Sequence, residues 1–226
     1  MIIGLKNASQ HNGTRASIRR FVEAKARYVV RLESGEQISV KHDNLREAPA
    51  LINLPQRYSF MAAAQMGDMK QLVRLLDTGQ CDMNALMELP DNEGKQSQTT
   101  ALCEAIKNNR QAAARLLLDR GANPNLADST GVTPLMGAAG MGFAPLLQLL
   151  LDAKAETNTV HPVTGGTAFH TACINGNPDC AEALVRAGCD TSLRDKDGRT
   201  GRDVAHATGN TAVLARLDAL TTEDER

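Results

Sequence analysis

Residues 128–158 read D-S-T-G-V-T-P-L-M-G-A-A-G-M-G-F-A-P-L-L-Q-L-L-L-D-A-K-A-E-T-N and contain the signals of one complete helix–turn–helix unit. Thr133 is a good N-cap, and Pro134 suits the first helical position because its missing N–H has no helical partner there. Gly142 breaks the chain before a second, leucine-rich helix. Two such short helices cannot bury their apolar faces alone, so the stretch predicts further copies on either side.

The unit recurs along the chain. The threonine that opens the first helix returns at intervals of 33, 34 and 33 residues, as Thr100, Thr133, Thr167 and Thr200. The break before the second helix also returns, at Gly67, Asn109, Gly142, Gly176 and Gly209. A period held over several units is typical of a repeat protein, in which each unit packs only on its neighbours.

With this period, T-P-L-M at 133–136, T-A-F-H at 167–170 and R-G-A-N-P-N at 120–125 resemble the ankyrin-repeat family, whose units carry a T-P-L-H pattern near their start. The resemblance covers about residues 57–220. It implies a mainly α fold, a solenoid of about five helix–turn–helix repeats. The repeats are expected at 57–85, 95–127, 128–161, 162–194 and 195–220, with an inserted loop at 86–98 that is polar and contains Pro90 and Gly94.

The last repeat departs from the pattern. Gly201, Arg202 and Asp203 stand in place of the proline, leucine and histidine of the motif, and the second helix, expected at 210–220, carries Arg216 and Asp218. A terminal repeat has one face in water, so these substitutions predict a cap. Residues 221–226 are polar and are expected to form a disordered tail.

The first 47 residues do not follow the repeat. Alternating apolar and polar residues predict short strands at 2–5, 16–22, 26–32 and 37–41. Their order resembles a small β-barrel module of the Src-homology-3 type, found ahead of ankyrin repeats in algal proteins that also carry a MYND zinc finger, although the zinc finger is missing here. We therefore expect an SH3-like barrel at 1–47, followed by a linker at 48–56 with Pro49 and Pro55.

Composition excludes several classes of protein. The formal charge of −1 divides into +4 for residues 1–47, with nine Lys/Arg and five Asp/Glu, and −5 for the remainder, with sixteen and twenty-one. Five cysteines without paired spacing argue against a disulfide framework. No apolar run has the length of a membrane span, and no hydrophobic region of a signal peptide is visible. The sequence therefore predicts a cytoplasmic or nuclear protein without membrane insertion.

Catalytic and metal-binding patterns are weak. His170 and Cys173 lie three residues apart with His161 nearby, but a structural zinc site needs four ligands, usually in closely spaced pairs. By the ankyrin resemblance, His170 instead makes hydrogen bonds within and between repeats. The glycines at 140 and 142 lack the lysine of a phosphate-binding loop. We therefore expect no enzyme activity, no cofactor and no metal.

The resemblance implies a non-enzymatic adaptor or scaffold that binds a protein partner on the concave face of the repeats. Two alternatives stay open: a nucleic-acid or histone-tail reader working through the basic N-terminal barrel, and a constitutive subunit of a larger assembly. Nucleic acid is the less expected partner, because few aromatic residues accompany the basic ones. By the resemblance, the residues expected to contact a partner are Lys107, Asn108, Ser129, Thr130, Val132, Met141, Ile174, Asn175, Lys196, Asp197 and Arg199.

Overall fold

The computed structural model describes residues 16–22, 27–32, 37–41, 54–79, 81–90 and 96–224. The chain divides into two compact units, Met1–Ser59 and Phe60–Arg226. The strand predicted at 2–5 and most of the linker predicted at 48–56 lie outside the described residues.

The first unit contains three strands: β1 (Ala16–Val22), β2 (Arg27–Leu32) and β3 (Gln37–Lys41). They form an antiparallel sheet in the order β1-β2-β3, with Phe21 opposite Tyr28 and Tyr28 opposite Val40. The register shifts between Ile18 and Arg20. A sheet of this size is not a closed barrel, so the SH3-like module predicted for residues 1–47 is not shown by the part of the chain that the structure describes.

Ten helices occur among the described residues, arranged as five consecutive pairs. They are α1 (Leu54–Met66), α2 (Met69–Asp77), α3 (Ala101–Lys107), α4 (Gln111–Asp119), α5 (Pro134–Met141), α6 (Ala144–Asp152), α7 (Ala168–Ile174), α8 (Pro178–Arg186), α9 (Gly201–Ala207) and α10 (Thr211–Asp224). From the second pair onward the first helices of successive pairs pack on one another, and the second helices do so in all five pairs. The helices therefore form two layers, as expected of a repeat array.

Threonine caps and left-handed breaks set the length of the first helices. The Oγ1 atoms of Thr100, Thr133 and Thr200 each accept a hydrogen bond of 3.2 Å from the backbone N–H three residues later. Such a bond satisfies one of the N–H groups that a helix start leaves without a partner. At the other end of α5, Gly142 ends the helix in the left-handed region, with φ 71°.

Alanine and leucine fill the core between the layers. Ala105, Ala138 and Ala172 in the first helices have no exposed surface. Leu117 and Leu184 in the second helices are equally buried. Small side chains let the first helices approach closely, while leucines fill the wider space beneath them.

Two segments differ from the sequence prediction. The segment predicted as a loop at 86–98 contains β4 (Met87–Pro90) and most of β5 (Gln96–Thr99), which form an antiparallel pair with Met87 opposite Thr99. Helix α10 continues to Asp224, past the end predicted at Leu220, so the expected disordered tail is wrong for residues 221–224. Leu220 is 7% exposed and holds this turn of the helix on the array.

Candidate partner-binding surface

A short turn, here called a finger, precedes each of the last three first helices: the third finger (128–132), the fourth finger (161–166) and the fifth finger (195–199). In the third finger, Asp128 Oδ1 accepts hydrogen bonds from the backbone N–H groups of Thr130 (2.9 Å) and Val132 (3.1 Å). Burial raises the pKa of Asp128, but the bonds from Thr130 and Val132 and the charge of Lys107 outweigh it. The pKa therefore lies below its ordinary value, and the carboxylate holds the turn in shape.

In the fifth finger, an aspartate holds the turn in the same way. Asp195 Oδ1 accepts from the N–H groups of Asp197 and Arg199, each at 2.9 Å. The hydrogen bond from the Arg199 backbone is the largest influence that lowers the pKa of Asp195. The Arg199 guanidinium also binds Asp195 Oδ2, at 2.9 Å, and Asp197 Oδ2, at 2.5 Å. The two carboxylates and the guanidinium of this finger are thus paired with one another.

The fourth finger has a histidine where the others have aspartate. His161 Nδ1 accepts hydrogen bonds from the backbone N–H groups of Val163 (3.3 Å) and Thr164 (3.2 Å). The imidazole nitrogen therefore takes the role of the carboxylate oxygen. Since a neutral imidazole has one acceptor nitrogen, Nδ1 serves here as that acceptor. The base of the fourth finger has no carboxylate.

Lys107 and Asn108 end helix α3 and are both partly buried. Lys107 Nζ lies 3.2 Å from Asp128 Oδ2 and 3.7 Å from Glu104 Oε1. Asn108 Nδ2 donates to the Glu104 carbonyl at 2.9 Å. These two predicted contact residues therefore already have partners within the array, and Lys107 joins the second repeat to the third finger.

The third finger contributes Ser129, Thr130 and Val132. Ser129 and Thr130 are exposed, whereas Val132 is partly buried. Ser129 is held by β5, since its N–H donates to the Gln98 carbonyl and its Oγ accepts from the Gln98 N–H, both at 2.8 Å. Val132 is one of the predicted partner contacts, but its partial burial makes it a less accessible contact than the helix ends.

The ends of α5 and α7 present the exposed apolar side chains of this surface. Met141 is 55% exposed and Ile174 is 51% exposed. Asn175, which follows Ile174, is exposed and donates from Nδ2 to the Thr171 carbonyl at 2.9 Å. The apolar side chains at both helix ends thus face solvent.

In the fifth finger, Lys196, Asp197 and Arg199 are all exposed. Lys196 reaches back to the fourth finger, where its N–H donates to the Thr164 carbonyl at 3.0 Å and its Nζ donates to the Pro162 carbonyl at 2.7 Å. The predicted contact residues of this finger therefore also bind the fingers together.

A cavity of about 510 Å³ lies between the fourth finger, the fifth finger and helix α7. Val163, Ile174 and Val204 form apolar parts of its wall, and Lys196, Asp197 and Arg199 stand in the same wall. Val163, 67% exposed, was missed by the sequence analysis. It occupies a finger position that is polar in the neighbouring fingers, and this apolar substitution was the signal available. We call the three fingers and the ends of α3, α5 and α7 the finger face.

Comparison with known families decides what kind of array this is. A family profile described as "Ankyrin repeats (3 copies)" matches residues 60–161 and 138–217, which together make up more than half of the chain. The chain belongs to the ankyrin-repeat family. The match begins at Phe60 and so includes the first repeat, whose opening motif is degenerate.

Relatives of this ankyrin chain include proteins of different size. Ankyrin repeat and SAM domain-containing protein 6 of Rattus norvegicus is 41% identical over 80 residues, which is 35% of this chain and 9% of the relative. SH3 and multiple ankyrin repeat domains protein 2 of Homo sapiens is 31% identical over 138 residues, 61% of this chain and 7% of the relative. Cyclin-dependent kinase inhibitor 2A of Homo sapiens is 36% identical over 118 residues, 52% of this chain and 75% of the relative. The chain spans less than a tenth of the length of the first of these.

His170 of the ankyrin motif makes hydrogen bonds within the array. Its Nδ1 accepts from the Thr167 N–H at 3.2 Å, and its Nε2 lies 3.1 Å from the Arg199 carbonyl oxygen. Both ring nitrogens are therefore engaged, and the histidine is not available to a metal. The part of the chain that the structure describes holds no group of three or more His, Cys, Asp or Glu residues placed to bind an ion.

The buried cysteines are not activated thiols. Burial raises the pKa of Cys173 to about 12 and that of Cys180 to about 11. A thiol reacts as the thiolate, and these values keep the protonated form at neutral pH. Both side chains therefore act as small apolar residues of the core. Among the described helices, none has both the length and the apolar character needed to cross a membrane.

Proposed function

We propose that this chain is a non-enzymatic protein-interaction module that binds a protein partner through the finger face, as an adaptor or scaffold. The observation that supports this most directly is the exposure of Met141, Ile174 and Val163, each more than half accessible. Of these, Val163 and Ile174 line the cavity. Exposed apolar residues beside a cavity are characteristic of interaction sites, because removing apolar surface from water is favourable.

The charges around the cavity favour a partner surface that is mostly uncharged at its centre. Arg199 is bound by Asp195 and Asp197, and the Lys196 ammonium by the Pro162 carbonyl. A partner would therefore gain its binding energy from burying apolar side chains, with the paired charges forming a polar rim. Val163 and Ile174 are the residues most suited to the centre of such an interface.

The family supports the same proposal. Ankyrin repeats form an extended surface whose side chains vary while the core stays the same. One relative is by its name an inhibitor of a cyclin-dependent kinase, and another combines ankyrin repeats with a SAM domain. The eleven residues predicted from the sequence and Val163 are the proposed contacts, with Met141, Val163 and Ile174 at the centre.

Capture of partners from the native cell tests the proposal. Met141→Asp combined with Ile174→Asp should abolish capture of any partner bound by the wild-type chain. Both side chains face solvent, so folding should be unaffected, and circular dichroism checks this. The matched control is Ala112→Asp with Ala219→Asp, which places two carboxylates at exposed positions on the second-helix layer. Equal capture by the two double variants would contradict the proposal.

A further inference from the structure

In two of the fingers, the backbone N–H at the equivalent position donates a hydrogen bond to the preceding repeat. We call the three fingers and strands β4 and β5 the finger layer. The N–H of Ser129, directly after Asp128, donates to the Gln98 carbonyl of β5 at 2.8 Å. The N–H of Lys196, directly after Asp195, donates to the Thr164 carbonyl of the fourth finger at 3.0 Å. The residue after the turn-forming aspartate is therefore the position that links one finger to the next.

In the fourth finger this position is Pro162, directly after His161. Proline has no backbone N–H and cannot make the linking bond. Among the backbone hydrogen bonds of the described residues, none joins the third finger to the fourth finger. Thr130 directly precedes the left-handed Gly131, as the acceptor Thr164 directly precedes the left-handed Gly165, so the Thr130 carbonyl is the acceptor that such a bond would use.

The proline ring occupies the space between the two fingers. A Cβ atom added to Gly131 would lie 2.5 Å from both Cδ and Cγ of Pro162. Cδ, which is bonded to the proline nitrogen in the place of the missing hydrogen, therefore faces Gly131. The two fingers therefore touch through apolar contact at the point where their neighbours are hydrogen-bonded.

The helices beneath remain linked. Asn177 Nδ2 donates to the Ala139 carbonyl at 2.8 Å and to the Gly140 carbonyl at 3.0 Å. Behind them, the Asp190 N–H donates to Asn158 Oδ1 at 2.8 Å. The interruption is therefore confined to the finger layer, while the two helical layers pass continuously from the third repeat to the fourth.

We propose that Pro162 divides the finger layer into two groups that move separately: strands β4 and β5 with the third finger, and the fourth finger with the fifth. The helical layers act as the common base. Thr130 of the third finger stands on one side of the division and Val163 of the fourth finger on the other, so the movement changes the spacing of the finger face. This last consequence rests on the function proposed above, whereas the division itself does not.

Hydrogen exchange of the full chain, without any partner, tests the division. Pro162→Ala restores the N–H, and Pro162→Ser copies the residue found at Ser129. Each variant should protect the new amide to the level of the Ser129 and Lys196 amides. Exchange at Val132 and Val163 should become roughly fivefold slower, because one net hydrogen bond is added between the fingers. The matched control, Pro178→Ala at the start of α8, removes a proline without restoring a link and should leave those amides unchanged.

The hydrogen-exchange result and the partner-capture result test different claims. Slower exchange in both Pro162 variants and not in Pro178→Ala supports the division. Unchanged exchange at Val132 and Val163 in either folded Pro162 variant overturns it, because the fingers would then already move as one. Partner capture by the wild-type chain is measured separately, so failure of the proposed function would leave this result standing.

Discussion

The Nε2 atom of His170 lies 3.1 Å from the carbonyl oxygen of Arg199, which belongs to the next repeat. On the other side of the ring, Nδ1 accepts from the Thr167 N–H at 3.2 Å. Since Nδ1 is the acceptor, the neutral ring carries its proton on Nε2, which donates a hydrogen bond to the Arg199 carbonyl oxygen. One buried side chain, 5% exposed, thus caps its own helix and joins the fourth repeat to the fifth.

Replacing His170 by alanine should lower the free energy of unfolding by about 1–3 kcal/mol, because the Thr167 N–H and the Arg199 carbonyl lose their partner in a buried setting. Urea denaturation of the full chain measures this. The control is His206→Ala in α9, where the side chain is exposed and the change should stay within about 0.5 kcal/mol. Similar losses in the two variants would show that the link between repeats contributes nothing.

Gly131→Ala should be more destabilising than Gly198→Ala. Both glycines are left-handed, with φ 91° and 76°, and alanine costs about 1–2 kcal/mol in that conformation. Only Gly131 faces the Pro162 ring, whereas an added Cβ at Gly198 meets nothing within 4 Å. The free energy of unfolding of the Gly131 variant should fall by about 1–3 kcal/mol more, because the added methyl group overpacks this contact. Thermal unfolding compares the two, and equal losses would contradict the close contact.

Asp128→Asn should make the free energy of unfolding depend less on pH in the acidic range. The folded-state pKa of Asp128 is lowered, so its carboxylate stabilises the fold at pH values above the ordinary pKa of 3.8. This contribution is lost as pH falls through the lower folded-state pKa. The variant should be less stable at pH 7, and the difference from wild type should shrink between pH 4 and pH 2. Asp119→Asn, an exposed position at the end of α4, is the control. A difference that is constant with pH would refute the role of the charge.

The repeats were predictable because period, caps and breaks are local signals. Thr133, Pro134 and Gly142 stand where the structure begins and ends α5. The interaction of His170 with both repeats, implied by the family resemblance, is confirmed by its two hydrogen bonds. The accessible apolar residue Val163 was not found, because a valine in a turn gives no periodic signal and its exposure depends on how the neighbouring finger packs.

The contacts between repeats could not be predicted from the sequence. The sequence pattern presents Gly201 as one of the substitutions that mark a cap facing water. The residue is instead buried, and an added Cβ would lie 2.5 Å from the ring of Phe169. The glycine is needed for close packing against α7, in addition to any role in the cap. A contact with a residue 32 positions away depends on the crossing of two helices, which local propensity does not specify.

Gly201→Ala should therefore destabilise the chain by about 1–3 kcal/mol, as an atom inserted into a packed core does. Gly137→Ala in α5 is the matched variant, because its added Cβ meets only Ile106 Cγ2, at 3.9 Å. There alanine should stabilise by roughly 0.5–1 kcal/mol, since glycine is a poor helix residue. Denaturant titration gives both values. Opposite signs are expected, and two stabilising substitutions would mean that Phe169 has room to move.

The most direct measurement for the central proposal is a hydrogen-exchange footprint of the chain bound to a partner captured from the native cell. The proposal predicts slower exchange in the fourth finger and at the ends of α5 and α7, around Met141, Val163 and Ile174, with the exposed sides of α4 and α8 unchanged. Protection confined to strands β1 to β3, or to the second-helix layer, would contradict binding through the finger face.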